Sequence, residues 1–425
     1  MAVVLLLTQV LPYPLDAGPK VRAYYMLRHL AGQHRVTLVS FVRPDDRPEY
    51  VQHLRGIAAE VHTVPIHRST LRNLRAGTKG LLTGLPIAIV RDETAEMAAL
   101  LRRLAAEARF DVVHADQLSM ASWGLLAAEA AAQRPRTVLD EHNAIYKLTE
   151  RIADEATGLR RLIARREARA FRRYEAAMLR AYDAVLTVTD QDRCLLLDLF
   201  PEPERSRQSA KFTTIPICVD PARVAPVNHP PVHPSTDLPA YPTVLHLGTM
   251  FWPPNAAGVL WFAKEVLPLV WTRVPEARFV VVGKNPPAEV RALAADPRVQ
   301  VAGYVPDPTP YLEAADVFIV PLFSGSGMRV KILDGWLWGL PIVSTPVGAE
   351  GIEVRDGENL LIAADAPAFA DAVVRVLTDA ALNRRLRTEG RRWVEARYDW
   401  RVVYPQVDAV YRRLLSRPLP SSLPR

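Results

Sequence analysis

VFIVPLFSGSGMRVKILDGWLWGLPIVST, residues 317–345, passes from an apolar run through a glycine turn into a second apolar pattern and a third. VFIVPL (317–322) reads as a buried strand and SGSG (324–327) as the turn at its carboxyl end. Val330, Leu333 and Leu337, spaced by three and four, form one face of a helix that starts near Met328. PIVSTP (341–346) returns as another strand. Strand, crossing helix and parallel strand are the repeating unit of doubly wound α/β sheets, whose ligands lie at the carboxyl ends of the strands.

The alternation extends in both directions. VVLLLT, VTLVSF, VHTVPI, DVVHAD, TVLDEH and AVLTVT recur between helical patterns in the first half, and TVLHLG, RFVVVG and VQVAGY in the second. Such near-continuous apolar strands indicate parallel sheets covered on both faces. Between the halves, PARVAPVNHPPVHPSTDLPAYP (221–242) has seven prolines in 22 residues, which excludes helix and ladder alike. The expected division is therefore a first α/β domain at 1–220, a linker at 221–242, a second α/β domain at 243–398, and a terminal helix and tail at 399–425. The two doubly wound domains are expected to face each other across a cleft. In the last segment, WRVVYPQVDAVYRRLLS (400–416) is amphipathic apart from a kink at Pro405.

Composition agrees with two cores, since 425 residues at 49% hydrophobic exceed what a single core organises. Lys plus Arg number 53 against 46 Asp plus Glu, a net +7 spread along the chain without the basic arm of a nucleic-acid binder. Cys194 and Cys218 are the two cysteines, so no disulfide framework exists and a reducing compartment is expected. The opening MAVVLLLTQVLPYP lacks a basic leader and breaks at Pro12. It reads as a first strand of a cytoplasmic protein, and not as a signal or a membrane span.

The glycine turn carries the chemistry. Gly325 and Gly327 let backbone approach a ligand closely, and the unpaired amides of a first helical turn, backed by its dipole, favour phosphate. Arg329 adds a bidentate fork and Lys331 a point charge. The two side chains leave the helix about 200° apart, so they would flank an anion at its end. Asp334, two turns into the helix, can accept from a vicinal diol such as a ribose. A turn that merely reverses the chain, with both cations solvated, is the plainer reading of the glycines alone; the cations and the acid together favour the phosphate cradle.

GSGMRVKILDGWLWGLPIVST resembles the signature of the family 4 glycosyltransferases of the GT-B fold, in the subgroup that reads G-x-G-x-R-x-K-x-L-E-A-M-A-x-G-x-P-V-V-S-T. PYPLDAGPKVRAYYMLRHL, DVVHADQL, DEHNAIYKLTER, YDAVLTVTDQDR, IPICVDP, LHLGTMFWPPNAAGVLWF and FVVVGKNPPAEV follow the family's order over nearly the whole chain. The resemblance implies the GT-B fold, with a C-terminal helix crossing back to the first domain. It also implies retaining transfer of a sugar from a nucleoside diphosphate sugar, UDP- or GDP-linked, without metal or other cofactor. The acceptor would be a polysaccharide, a glycolipid or a small molecule. Gly325, Gly327, Arg329 and Lys331 would hold the diphosphate, Ser326 and Met328 of the same turn would line the donor site with the Ser326 hydroxyl toward the sugar, Asp334 would hold the ribose, and Tyr304 with Val305 would border the base. Gly18 would approach the donor phosphate from the first domain, and His142 would stand beside the donor sugar and acceptor.

Several positions depart from the family. Thr249 and Asn255 replace an Arg and a Lys that contact phosphate in many relatives, so Arg329 and Lys331 are assigned the missing charge. Ser326 stands for the family's first Glu, Asp334 for the second, and Pro19 for a second loop glycine, with the loss of one amide donor. Two other readings accompany the transferase: a silent GT-B protein that binds nucleotide or a partner enzyme, and a sugar-nucleotide epimerase.

Other residues carry less. Asp190-Gln191-Asp192 reads as a helix N-cap with acids in the first turn, in preference to a metal motif. His114 and Asp116 either touch the acceptor or finish a strand, His246 packs in a strand, and Trp336 packs in the core. Trp252, after a strand end, is a candidate to face donor or acceptor. GLRRLIARREARAFRRYEAAMLRAYD (158–183) places eight arginines on a helical pattern with Leu162, Phe171 and Leu179 opposite. A solvated face is the first reading; peripheral contact with an anionic membrane is the sharper one.

Overall fold

The computed structural model describes residues 1–67, 69–224, 241–325 and 327–416. Most of the expected linker (225–240), the tail after 416, and Ser326 lie outside the described residues. Contacts divide the chain into two compact units: Met1–Cys218 together with the chain from Val403 onward, and Val219–Val402.

The first unit holds a seven-stranded sheet in the order β3-β2-β1-β4-β5-β6-β7. Its strands are β1 (Val3–Thr8), β2 (Arg35–Val42), β3 (Glu60–Pro65), β4 (Val112–Asp116), β5 (Arg136–Glu141), β6 (Ala184–Thr187) and β7 (Phe212–Thr214). All pairings are parallel; Val4, for example, faces Val36 on one side and Val112 on the other. The central strands β4 and β5 are buried along their whole length because helices cover both faces. Leu5 and Leu7 of β1, Val113 of β4 and Leu139 of β5 are all buried in one cluster with Leu101 and Leu179 from those helices and Tyr182 just past the end of one.

The second unit repeats the plan with six parallel strands in the order β10-β9-β8-β11-β12-β13. These are β8 (Thr243–Leu247), β9 (Arg278–Val282), β10 (Val299–Gly303), β11 (Val317–Val320), β12 (Ile342–Ser344) and β13 (Leu361–Ile362). In both sheets the chain builds outward from a central strand, then crosses to its other side. The reversal falls between β1 and β4 in one unit and between β8 and β11 in the other, and a doubly wound sheet opens a ligand crevice at such a point. The short edge strands β7 and β13, three and two residues long, are not among the strands expected from sequence.

The chain end returns to the first unit. Helix Trp400–Val403 stops, and a second helix, Pro405–Leu415, begins with its proline in the first turn, where the missing amide costs nothing. The Pro405 break is therefore a boundary between two helices, where a kink within one was expected. Val407, Val410, Tyr411 and Leu414 are buried. Asp408 meets His29 Nε2 at 2.7 Å, and the Tyr411 hydroxyl meets His114 Nδ1 at 2.8 Å.

Candidate functional site

The turn after β11 stands at the strand reversal of the second unit. Gly325 and Gly327 have φ of 136° and 72°, which side chains disfavour. At Gly325 there is a second reason: a Cβ would lie 2.9 Å from Nη2 of Arg329. The helix begins at Val330 and ends at Leu337, two residues later than expected, with Arg329 as its N-cap. Among the described residues no side chain caps that end. Asp334 is the fifth helical residue, one turn in and not two.

Arg329 is buried and turned back along its own loop. Nη1 donates to the Gly327 carbonyl at 3.3 Å and Nε to the Val347 carbonyl at 3.4 Å, while Nη2 lies 3.9 Å from Glu350. Lys331 points the other way, toward the end of β8. Its Nζ donates to Asn255 Oδ1 at 2.8 Å, and Asn255 Nδ2 donates to the Thr249 carbonyl at 2.9 Å. Gly248 leaves room for the ammonium, because a Cβ there would sit 2.9 Å from it. The ammonium thus rests against the residue that replaces the family's lysine. Burial, reinforced by the Arg329 charge, pulls Lys331 down to about 7, and burial pushes the Asp334 carboxyl up to about 6 against the pull of Arg223 and Lys331.

Around these groups the ends of β8, β10 and β11 expose aromatic rings. Tyr304, after Gly303, is exposed with the Lys284 ammonium 4.6 Å above its ring, and Val305 beside it is half-buried. Trp252 is exposed, as are Phe251 and Phe323, which sequence patterns did not single out. Met328 is buried. His246 and Trp336 pack as expected: His246 donates from Nδ1 to the Ile319 carbonyl, and Trp336 donates from Nε1 to the Asn359 carbonyl.

In the first unit, Gly18 occupies the first position of helix Gly18–Ala31 and not a loop, with Pro19 next to it. His142 directly follows β5. Its side chain is 9% exposed, and its Nε2 lies 2.9 Å from Asp116 Oδ1 at the end of β4. His114 is wholly buried against Tyr411, so of its two readings the structure leaves strand packing. The cap of helix Asp190–Leu197 is Thr189, one residue before the expected acids, which fill the first turn as expected; Asp192 accepts from the Ala144 amide and the Thr189 hydroxyl.

Sequence reasoning missed the ion pair beneath His142. Arg22, wholly buried, donates to Asp140 from Nε at 2.9 Å and from Nη2 at 2.7 Å, and to the Ile215 carbonyl from Nη1 at 2.7 Å. Burial alone would raise the Asp140 carboxyl, but the guanidinium outweighs it and holds the group well below the usual carboxylate range. Asp116, Asp140 and His142 each offer an atom within 4.8 Å of the others, as a metal ion would require. The donor set fits a metal poorly, because the Asp140 carboxylate already accepts from a buried cation. No spacing signal marks this pair; its members are 118 residues apart.

Two family models match the chain, a glycosyl transferase 4-like domain over residues 17–208 and glycosyl transferases group 1 over residues 241–379. An uncharacterized 44.6 kDa protein in the cps region of Klebsiella pneumoniae is 21% identical over 419 residues, covering 96% of this chain and 99% of that protein. Phosphatidyl-myo-inositol mannosyltransferase of Mycobacterium leprae is 30% identical over 184 residues, 41% of this chain and 48% of the relative. Among solved structures, HepE of Anabaena in complex with UDP and glucose superposes with a TM-score of 0.67 at 12% identity, covering 97% of this chain and 100% of that one. Both halves of the chain thus belong to the family 4 type of glycosyltransferase, on the GT-B fold.

Proposed function

We propose that the protein moves a sugar from a UDP- or GDP-linked donor to a polysaccharide, glycolipid or small-molecule acceptor, with retention and without a metal ion. The observation that carries the proposal is the cationic turn at the strand reversal of the second unit. There Lys331 reaches Gly248, while Arg329, Gly325 and Gly327 shape the end of helix Val330–Leu337. The leaving group is a nucleoside diphosphate, so the transition state gains negative charge on its phosphate oxygens. Fixed cations and helix amides stabilise that charge without reorganising at the moment of reaction.

In this reading the anomeric C–O bond breaks with its electron pair going to the diphosphate, and the acceptor hydroxyl bonds to the same carbon on the face that the diphosphate leaves, its proton passing to the departing phosphate oxygen. No carboxylate is assigned as a nucleophile. Asp334 accepts from the ribose, Tyr304 and Val305 border the base, and His142, held by Asp116, is assigned to the sugar. HepE, solved with UDP and glucose on the same fold, supports a nucleotide-sugar donor. The silent, nucleotide-binding alternative draws on Thr249 and Asn255, which leave the end of β8 without charge of its own.

Incubation with a panel of UDP-, GDP- and ADP-sugars separates the readings. Acceptor-dependent release of nucleoside diphosphate marks a transferase, binding without release a silent relative, and a new sugar nucleotide an epimerase. Arg329→Ala should weaken UDP or GDP binding by roughly ten- to a hundredfold in calorimetric titration, the loss of one charge-assisted contact. Unchanged affinity removes Arg329 from the site.

A further inference from the structure

Helix Thr70–Thr83, TLRNLRAGTKGLLT, packs with its polarity reversed. Its small residues Ala76 and Gly80 are buried, and a Cβ on Gly80 would already crowd Ile87 at 3.1 Å. Leu71, Leu74, Leu81 and Leu82, which share the opposite face at helical spacing, are exposed. A second exposed cluster adjoins it. Leu159, Leu162 and Ile163 open helix Gly158–Ala181, and Arg166, one turn further along that face, donates to the Gly80 carbonyl beside Leu81. These seven aliphatic side chains are between 52% and 88% exposed. Of the three apolar residues set opposite the arginines on this helix, Phe171 and Leu179 are buried and Leu162 is exposed.

The same two stretches, 69–85 and 157–166, contain seven cations and no acid. Arg72, Lys79 and Arg166 are engaged by the protein itself. Arg75, Arg160, Arg161 and Arg165 are exposed and have no ion pair among the described residues. Aliphatic side chains ringed by unpaired guanidinium groups match the boundary between acyl chains and anionic headgroups. A second copy of the face would set cations against cations with no acid to answer them. Among the described residues no helix is long and apolar enough to cross a membrane, so the face would lie on a bilayer and not span it.

We propose that these two helices dock the first unit on a bilayer rich in anionic lipid, with Leu71, Leu74, Leu81, Leu82, Leu162 and Ile163 entering the boundary and the arginines meeting lipid phosphates. The inference does not depend on donor chemistry; if the transferase reading also holds, an acceptor anchored in the same surface becomes accessible.

Sedimentation of the full chain with vesicles tests it, using phosphatidylcholine alone and phosphatidylcholine with about a third phosphatidylglycerol. Anionic vesicles should bind the protein at least about tenfold more tightly than neutral ones, with a loss on adding salt. The triple variant Leu81→Ser, Leu82→Ser, Leu162→Ser should lose at least about tenfold on anionic vesicles, while its circular dichroism and UDP affinity stay at wild-type values. Replacing Arg160, Arg161 and Arg165 by Ala should remove most of the salt dependence. Absence of wild-type binding, or equal binding by the leucine variant, overturns the proposal. So does a dimer, seen by light scattering, that the leucine variant breaks, since a second copy would then own the face. Failure of UDP binding by every form would count against the transferase reading alone.

Discussion

Lys331 and Arg329 were placed on opposite sides of a helix by simple geometry, and their surroundings give them different characters. Arg329 is tied to its own loop through the Gly327 and Val347 carbonyls, in space that a side chain on Gly325 would take, and a guanidinium keeps its charge whatever its partners. Lys331 is desolvated beside Asn255, and its ammonium is pulled down to about 7. In the proposed reading a diphosphate binds the charged form, so the free protein takes up a proton on binding above that pH. UDP affinity should fall as pH rises from 7 to 9, by up to about tenfold per unit. Calorimetry in buffers of different ionisation enthalpy should register the proton. Lys331→Arg should flatten the profile by holding its charge, whereas Lys331→Met should flatten it at the weak end. A profile identical to wild type in both variants would mean that another group titrates.

At the scale of elements, helices are fixed by partners far away in sequence. Helix Ile145–Glu155 has no local cap; Glu175, from the middle of helix Gly158–Ala181, accepts from the amides of Ile145 and Tyr146 at 3.0 and 2.8 Å. Burial pushes that carboxyl up to about 8, and the buried Glu141 well above its ordinary range. Between pH 4.5 and 8 folded Glu175 therefore holds a proton that the unfolded chain releases. Stability from this group is complete below that window and is lost as pH rises through it. Glu175→Gln should remove about 1–4 kcal/mol of the stability change between pH 5 and pH 9, read as a shallower fall of Tm. Helix Val330–Leu337 is seated similarly. Trp336 lies on helix Ala380–Tyr398 at Gly390, where a Cβ would come within 2.3 Å of the indole. Gly390→Ala should cost about 1–3 kcal/mol in denaturant unfolding by displacing that ring and, with it, the glycine turn.

Over the whole molecule the C-terminal helix completes the first unit from the far end of the chain. Its Tyr411 hydroxyl meets His114, on β4, so Tyr411→Phe should leave a buried imidazole nitrogen unpaired and cost about 1–3 kcal/mol in thermal unfolding. The two doubly wound sheets were legible from the apolar runs because buried parallel strands need no alternation, and eleven of the thirteen strands among the described residues were marked in this way. Edge strands β7 and β13 were not, since two or three residues carry no period. The glycine turn and its cations were likewise local, with every part within a dozen residues. What sequence could not reach were contacts between distant positions: Arg22 with Asp140, Lys331 with Asn255, Glu175 under another helix, and leucines left in solvent. By itself, then, the chain's pattern determined the strands, the turn and the family, because those depend on near neighbours. Only tertiary packing decided which charges are desolvated and which apolar faces stay uncovered, because both depend on what the fold brings to within a few ångströms.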